Sequence, residues 1–296
     1  MKILVTGSNG LLGQKLVTLL QQQENVQLIA TARSASVQPI KQGSFQSLDV
    51  TDSASVNAVI TDTNPDVIIH TAAMTQVDDC EIKRDACTLN NVTAVEYLVE
   101  ACKKNNVHLV HVSTDFIFDG STGPLDELAK PNPINFYGES KLAAEQIIQK
   151  SNISWSILRT VLVYGITKDL GRSNIVLWVK KSLEEGKTIS VVNDQWRTPT
   201  LAEDLAMGCY LAATKKAKGV FNISGKDFVT PYDIAMKTAE FFKLDSSLIK
   251  ATDSTQFKQA ARRPLKTGFI IDKANRELSY KPHSFEQGLK IIQGQF

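Results

Sequence analysis

The run Lys2 to Thr6 passes directly into Gly7-Ser-Asn-Gly10-Leu-Leu-Gly13, and an amphipathic helical pattern, Leu11 to Gln22, follows with apolar residues at 12, 16, 19 and 20. A strand, a glycine-rich turn and a helix in that order open a βαβ unit. Glycines permit the tight turn, and they let backbone N–H groups approach an anion held at the positive end of the helix. The spacing is GxxGxxG, one residue longer in its first gap than the common dinucleotide fingerprint. The context makes the turn a pyrophosphate cradle, with Gly7, Gly10 and Gly13 as its candidate residues.

The pattern downstream extends the unit. Val26 to Ala30, Gly43 to Leu48, Asp66 to His70, Val107 to Val112 and Trp155 to Val163 read as further strands, with helices over Asn90 to Lys104 and Gly138 to Lys150. Strands alternating with helices imply right-handed crossovers and a doubly wound parallel α/β sheet covered on both faces. After about residue 165 the rhythm changes. Ile189 to Val192 and Val220 to Ser224 are short strand candidates, and Thr230 caps a helix over Pro231 to Phe242. The expected organisation is a nucleotide-binding domain over 1–165 and a smaller α/β substrate-binding lobe over 166–296. Some elements of that lobe are expected to return to the sheet. Motifs from both halves point to one cleft.

The end of the second strand, Ile29-Ala30-Thr31-Ala32-Arg33-Ser34, lacks the acid that commonly holds an NAD ribose hydroxyl. Arg33 suits a 2′-phosphate instead. NADP(H) is therefore the expected cofactor, with NAD(H) as the second option.

Composition narrows the partners. Lys plus Arg number 33 against 31 acids, a net charge of +2, which argues against nucleic acid. No apolar run approaches a membrane span, and Met1 to Gly7 is too short for a signal peptide. Four cysteines without CxxC and four histidines outside metal-ligand spacing predict no metal site and a cytoplasmic setting with free thiols.

Two YxxxK matches occur, Tyr137 to Lys141 and Tyr164 to Lys168. The second follows a strand end, where an i,i+4 spacing has no geometric meaning. The first opens a helix, so both side chains share a face. The strand ending in Ser113-Thr114-Asp115 brings Thr114 to the same ligand-facing edge. A phenol beside an ammonium suits proton donation to a carbonyl oxygen, which makes Thr114, Tyr137 and Lys141 the catalytic candidates.

The motifs TGSNGLLG (6–13), PDVIIHTAAMTQVDDCE (65–81), STDFIFDG (113–120), YGESKLAAE (137–145), LRTVLVYG (158–165), NDQWRTPTLAEDLA (193–206) and RRP (262–264) span nearly the whole chain. On them the sequence resembles the extended short-chain dehydrogenase/reductase superfamily and, within it, the dTDP-4-dehydrorhamnose reductase family. The resemblance implies a Rossmann-type sheet and NADPH-dependent reduction of a 4-keto-6-deoxy nucleotide sugar. The leading reaction is dTDP-4-dehydro-β-L-rhamnose to dTDP-L-rhamnose, by a monomer or homodimer. Carried over by position, it puts Gly7, Gly10, Leu11, Leu12 and Gly13 at the pyrophosphate and Asp49 and Val50 at the adenine. Ala72, Ala73 and Met74 border the middle of the cofactor. Tyr137 and Lys141 touch it as well. Thr75, Thr114, Asp115 and Arg263 face the sugar nucleotide, and Asn91 helps organise the site.

Three positions depart from the family pattern. Leu162 stands where these reductases commonly carry a Trp near the sugar, and Lys15 where some members have a Glu that serves a magnesium-linked dimer. Trp196-Arg197-Thr198-Pro199 is similar to the corresponding motif in the regulatory subunit of methionine adenosyltransferase, a binding protein on the same scaffold. The alternatives are therefore a non-catalytic NADP-binding regulatory subunit and a nucleotide-sugar epimerase or dehydratase.

Overall fold

The computed structural model describes residues 1–168 and 174–296. Six strands come from the first half: β1 (Lys2–Thr6), β2 (Gln27–Ala32), β3 (Ser44–Ser47), β4 (Val67–His70), β5 (His108–Thr114) and β6 (Trp155–Thr160). Short β7 (Val163–Tyr164), β8 (Ile189–Val192) and β9 (Thr200–Leu201) follow, then β10 (Gly219–Asn222) and β11 (Ile249–Thr252). The main sheet has seven strands in the order β10-β6-β5-β4-β1-β2-β3, all parallel. This is the Rossmann-type doubly wound arrangement, and its order reverses between β1 and β4. The crevice at the carboxyl ends of those strands is where such sheets take ligands.

The inner strands β1, β2 and β4 are near-continuous buried runs because both faces are covered. Ile3 and Val5 of β1 point to one core and Leu4 to the other. The first core is closed by α1 (Leu11–Leu20), which supplies Leu16, Val17 and Leu20. The second is closed by α2 (Ser53–Thr63), with Val56 and Ile60. Two short helices, α3 (Val77–Ile82) and α4 (Arg84–Thr88), lead through a wide turn at Leu89–Thr93 into α5 (Ala94–Asn105). There α5 packs beside α6 (Phe136–Lys150), and both join the second core. A helix starting at Asn90 was expected. The chain instead makes a π turn there, and that turn carries Asn91 into the interior, 1% exposed.

Past residue 168 the described helices are α7 (Ile175–Glu184), α8 (Ala202–Thr214), α9 (Pro231–Phe242) and α10 (Phe285–Gln293). α8 lies against α1 and closes the first core with Leu205, Ala206, Cys209, Ala212 and Ala213. Thr230 caps α9 in a reciprocal box with Asp233. β8 and β11 form a parallel pair against α7 and α9, with Val179, Ile189, Val191, Ala235 and Ile249 in a core of their own.

One strand expectation fails. Trp155 to Val163 is not continuous, because Leu162 takes φ +38° and breaks the ladder after Thr160. β7 then leaves the sheet and pairs with β9. Tyr164 of the second YxxxK match is a buried core residue against Phe285, and Lys168 sits in a loop.

Candidate active site

A cavity of about 680 Å³ opens at the carboxyl ends of β1, β4 and β5. Its floor at one end is the start of α1, where Gly10, Leu11, Leu12 and Gly13 line it. Gly10 N–H donates to Gly7 O at 2.9 Å, which closes the turn. A Cβ on Gly13 would sit 2.1 Å from Gly7 O and 2.7 Å from Ser8 Cα, so only glycine lets the helix seat on the turn. Among the described residues no side chain caps α1. Its first backbone N–H groups are left to the cavity, as an anion cradle requires.

Asn9 fastens the loop after β2 over this cradle. Its amide donates to Ala35 O at 2.9 Å and to Ser34 Oγ at 3.2 Å, and its Oδ1 accepts from Val37 N at 3.1 Å. Arg33 is exposed on that loop and its charge reaches Asp49. The Asp49 carboxylate accepts from the hydroxyl and N–H of Thr51, and these bonds hold it below the usual carboxylate range. Val50 beside it is buried.

Ala73 and Thr75, on the loop leaving β4, line the cavity wall. Asn91 sets that loop: its Oδ1 accepts from Met74 N at 2.8 Å, and its Nδ2 donates to Met74 O at 3.0 Å and Ser140 Oγ at 3.1 Å. The π turn thus ties the loop of Ala72 to Met74 onto α6.

Thr114, Tyr137 and Lys141 all line the same cavity. Asn135 caps α6 through Gly138 N at 2.9 Å. A Cβ on Gly138 would strike Phe116 O at 2.1 Å, so the glycine after the tyrosine lets α6 close on the turn that follows β5. Burial pushes the Tyr137 phenol well above its ordinary value, and the neighbouring Thr114 hydroxyl opposes the shift. Thr114 donates its own proton to Asp115 Oδ1 at 3.1 Å and accepts from Phe116 N at 3.2 Å. Its hydroxyl can give a proton to a ligand only by turning off Asp115. Lys141 Nζ donates to Val112 O at 2.8 Å and to His111 Nε2 at 3.1 Å. Burial lowers its pKa to about 8, against the opposing charge of Glu145 one turn along.

Asp115 and Arg263 line the cavity too, but their charged groups are engaged. Asp115 accepts from Thr114 and Thr267 and lies 3.8 Å from Arg197 Nε, and burial raises its pKa against these partners. Arg263 makes a bidentate pair with Asp78 at 2.7 and 2.6 Å and also donates to Ala261 O.

The arginine of the Trp196-to-Pro199 motif is a buried clamp. Arg197 donates to Trp196 O at 2.7 Å, Pro264 O at 2.6 Å and Leu265 O at 3.1 Å, which sews two segments of the second half together at the cavity edge. Lys15 pairs with Glu203 at 2.9 Å. Sequence reasoning missed Asp78, His111 and the buried pair of Arg159 with Glu145 (2.7 Å). The i,i+4 spacing of Lys141 and Glu145 signals a pair between those two, whereas the structure gives the Glu145 carboxylate to Arg159.

A Rossmann-type sheet, an uncapped helix start and a Thr–Tyr–Lys group in one crevice define the class: an NAD(P)-dependent oxidoreductase of the extended short-chain dehydrogenase/reductase superfamily. The chain belongs to the family described as RmlD substrate binding domain, whose model matches residues 1–295. Among its relatives, a probable low-salt glycan biosynthesis reductase, Agl14 of Haloferax volcanii, is 31% identical over 296 residues, covering 99% of this chain and 97% of that protein. Methionine adenosyltransferase 2 subunit beta of Xenopus laevis is 32% identical over 254 residues, 84% of this chain and 74% of that one. The crystal structure of dTDP-4-dehydrorhamnose reductase from Bacillus anthracis in complex with NADP superposes with a TM-score of 0.86 at 26% identity, covering 100% of this chain and 99% of that chain.

Proposed function

We propose that the protein is a sugar-nucleotide reductase that uses NADPH to reduce the 4-keto group of a 6-deoxy nucleotide sugar, dTDP-4-dehydro-β-L-rhamnose to dTDP-L-rhamnose being the leading reaction. The observation that carries this reading is the meeting of Thr114, Tyr137 and Lys141 in the cavity that also holds the open start of α1. The residues fit the cofactor. The uncapped N–H groups of α1 receive the pyrophosphate. Arg33, carried on the loop that Asn9 holds, meets the 2′-phosphate, while Asp49 and Val50 flank the adenine. Ala72, Ala73 and Met74 border the remainder.

Bound NADPH supplies the hydride. The chain's own residues handle the proton. Tyr137, kept neutral by burial, gives its phenolic proton to the carbonyl oxygen as the carbon is reduced. Lys141, charged below about pH 8, stabilises the phenolate left behind and donates to the cofactor ribose. Thr114 orients the phenol and the substrate oxygen. Thr75, Asp115 and Arg263 face the sugar nucleotide. Arg263 meets its diphosphate by exchanging or sharing Asp78. The segment 166–296 contributes mainly to the sugar side and 1–165 mainly to the cofactor side.

A second reading has its own observation. The likeness to methionine adenosyltransferase 2 subunit beta supports an NADP-binding regulatory subunit without turnover. Purified protein mixed with NADPH and a panel of 4-keto-6-deoxy nucleotide sugars separates the two. Substrate-dependent loss of absorbance at the NADPH band supports the reductase. Tight NADPH binding with no turnover on any sugar overturns it and favours the regulatory subunit.

A further inference from the structure

Three side chains in register carry polar groups across the centre of the sheet. Thr6 of β1 pairs with His70 of β4, and His70 pairs with His111 of β5. Thr6 Oγ1 and His70 Nδ1 are 2.7 Å apart, and the two imidazoles stack with centroids 5.4 Å apart. Both histidines are 1% exposed. The row ends on the catalytic helix, where His111 Nε2 meets Lys141 Nζ at 3.1 Å.

Proton counting assigns the roles. An ammonium only donates, so His111 Nε2 is the acceptor and the imidazole proton resides on Nδ1. That Nδ1 is buried with no hydrogen-bond partner among the described residues. A histidine kept in a sheet core with one nitrogen unsatisfied is a costly way to fill space, since an apolar residue would bring no buried ring N–H to satisfy. What the arrangement secures is the acceptor. Of the three N–H bonds of Lys141, one goes to His111, one goes to Val112 O, and one remains for the cavity that Lys141 lines.

We propose that His111 is a positioning residue for the reduction: its Nε2 and the Val112 carbonyl fix the Lys141 ammonium so that one N–H faces the cofactor, and stacked His70 holds the His111 ring in place. The proposal rests on the reading above that Lys141 serves the cofactor ribose and the Tyr137 phenolate. The titratable groups around Lys141 are Tyr137 and Glu145 on its own helix, Cys80 and Cys87 from α3 and α4, and His70 and His111 from the sheet. Both histidines stay neutral, their pKa values lowered by burial and by the Lys141 charge. Loss of the His111 acceptor therefore removes support for the ammonium while Glu145 and the thiols stay in place.

The test is NADPH affinity, followed by fluorescence titration between pH 6 and 9.5, in the wild type, His111→Gln and His111→Phe. Glutamine keeps an acceptor, whereas phenylalanine keeps only the ring. His111→Phe is expected to weaken NADPH binding about tenfold at pH 7, the loss of one hydrogen bond to a charged group. Its alkaline fall in affinity should begin at lower pH than in the wild type, and His111→Gln should restore most of both. In a Lys141→Met background, His111→Phe should have no further effect. Equal weakening by both His111 variants with an unmoved pH profile, or an additive loss in the Lys141→Met background, overturns the proposal. These titrations need no sugar, so failure to turn over any 4-keto sugar nucleotide sinks the reductase reading separately.

Discussion

Two arginines placed against phosphates on sequence grounds have very different surroundings. Arg263 is already paired with Asp78 through both of its terminal nitrogens, so a diphosphate there competes with a carboxylate. Arg33 stands exposed beside the cradle, on a loop held by Asn9. Replacement of Arg33 by alanine should therefore fall on one ligand. A charge-assisted bond of about 1.5–3 kcal/mol corresponds to roughly a ten- to hundredfold loss. The Kd for NADPH is expected to rise by that factor while the Kd for NADH changes little, which isothermal titration of both cofactors would reveal. Equal effects on the two cofactors contradict the role. The expectation for Arg33 rests on a second strand that ends without an acid. Asp78 and its partner were not legible, because they lie 185 residues apart, and no periodicity reports a pair at that distance.

At the scale of elements, the parallel strands were readable as apolar runs bounded by glycine, asparagine and proline. The break at Leu162 was not, because a leucine at positive φ carries no turn signal. The histidines of β4 and β5 were also silent, since a lone histidine in an apolar strand reads as core. Their burial has a consequence for stability. His70 and His111 hold folded-state pKa values well below the ordinary 6.5, so the unfolded chain binds more protons below that value. The stability they allow is fully present above pH 6.5 and is lost as pH falls toward their folded values. Between pH 7.5 and 5.5 both imidazoles therefore reduce stability, by on the order of 1 kcal/mol each, and the melting temperature falls by roughly a few degrees. Thermal melts at the two pH values measure it, and equal melting temperatures would show that the row is charged in the folded state.

For the whole molecule, the two halves share one core. β10 extends the sheet beyond β6, and α8 covers the face formed by Ile69, Val110 and Leu158. A fragment ending at residue 165 leaves that face bare. It is expected to aggregate and to bind NADPH poorly, as judged by size-exclusion chromatography and fluorescence titration. A soluble fragment with wild-type affinity contradicts that view. The near-neutral net charge of +2 leaves room for local anion sites, and the proposed ones are a helix start, Arg33, Lys141 and Arg263. The central claim is that Tyr137 protonates a sugar carbonyl in the cavity it shares with the cradle. The most direct test compares NADPH oxidation by the wild type and Tyr137→Phe with dTDP-4-dehydro-β-L-rhamnose at pH 7. Turnover by the wild type, lowered by at least about a hundredfold in Tyr137→Phe with NADPH affinity within threefold, is the predicted result. Undiminished turnover in Tyr137→Phe, or none in the wild type, contradicts the account.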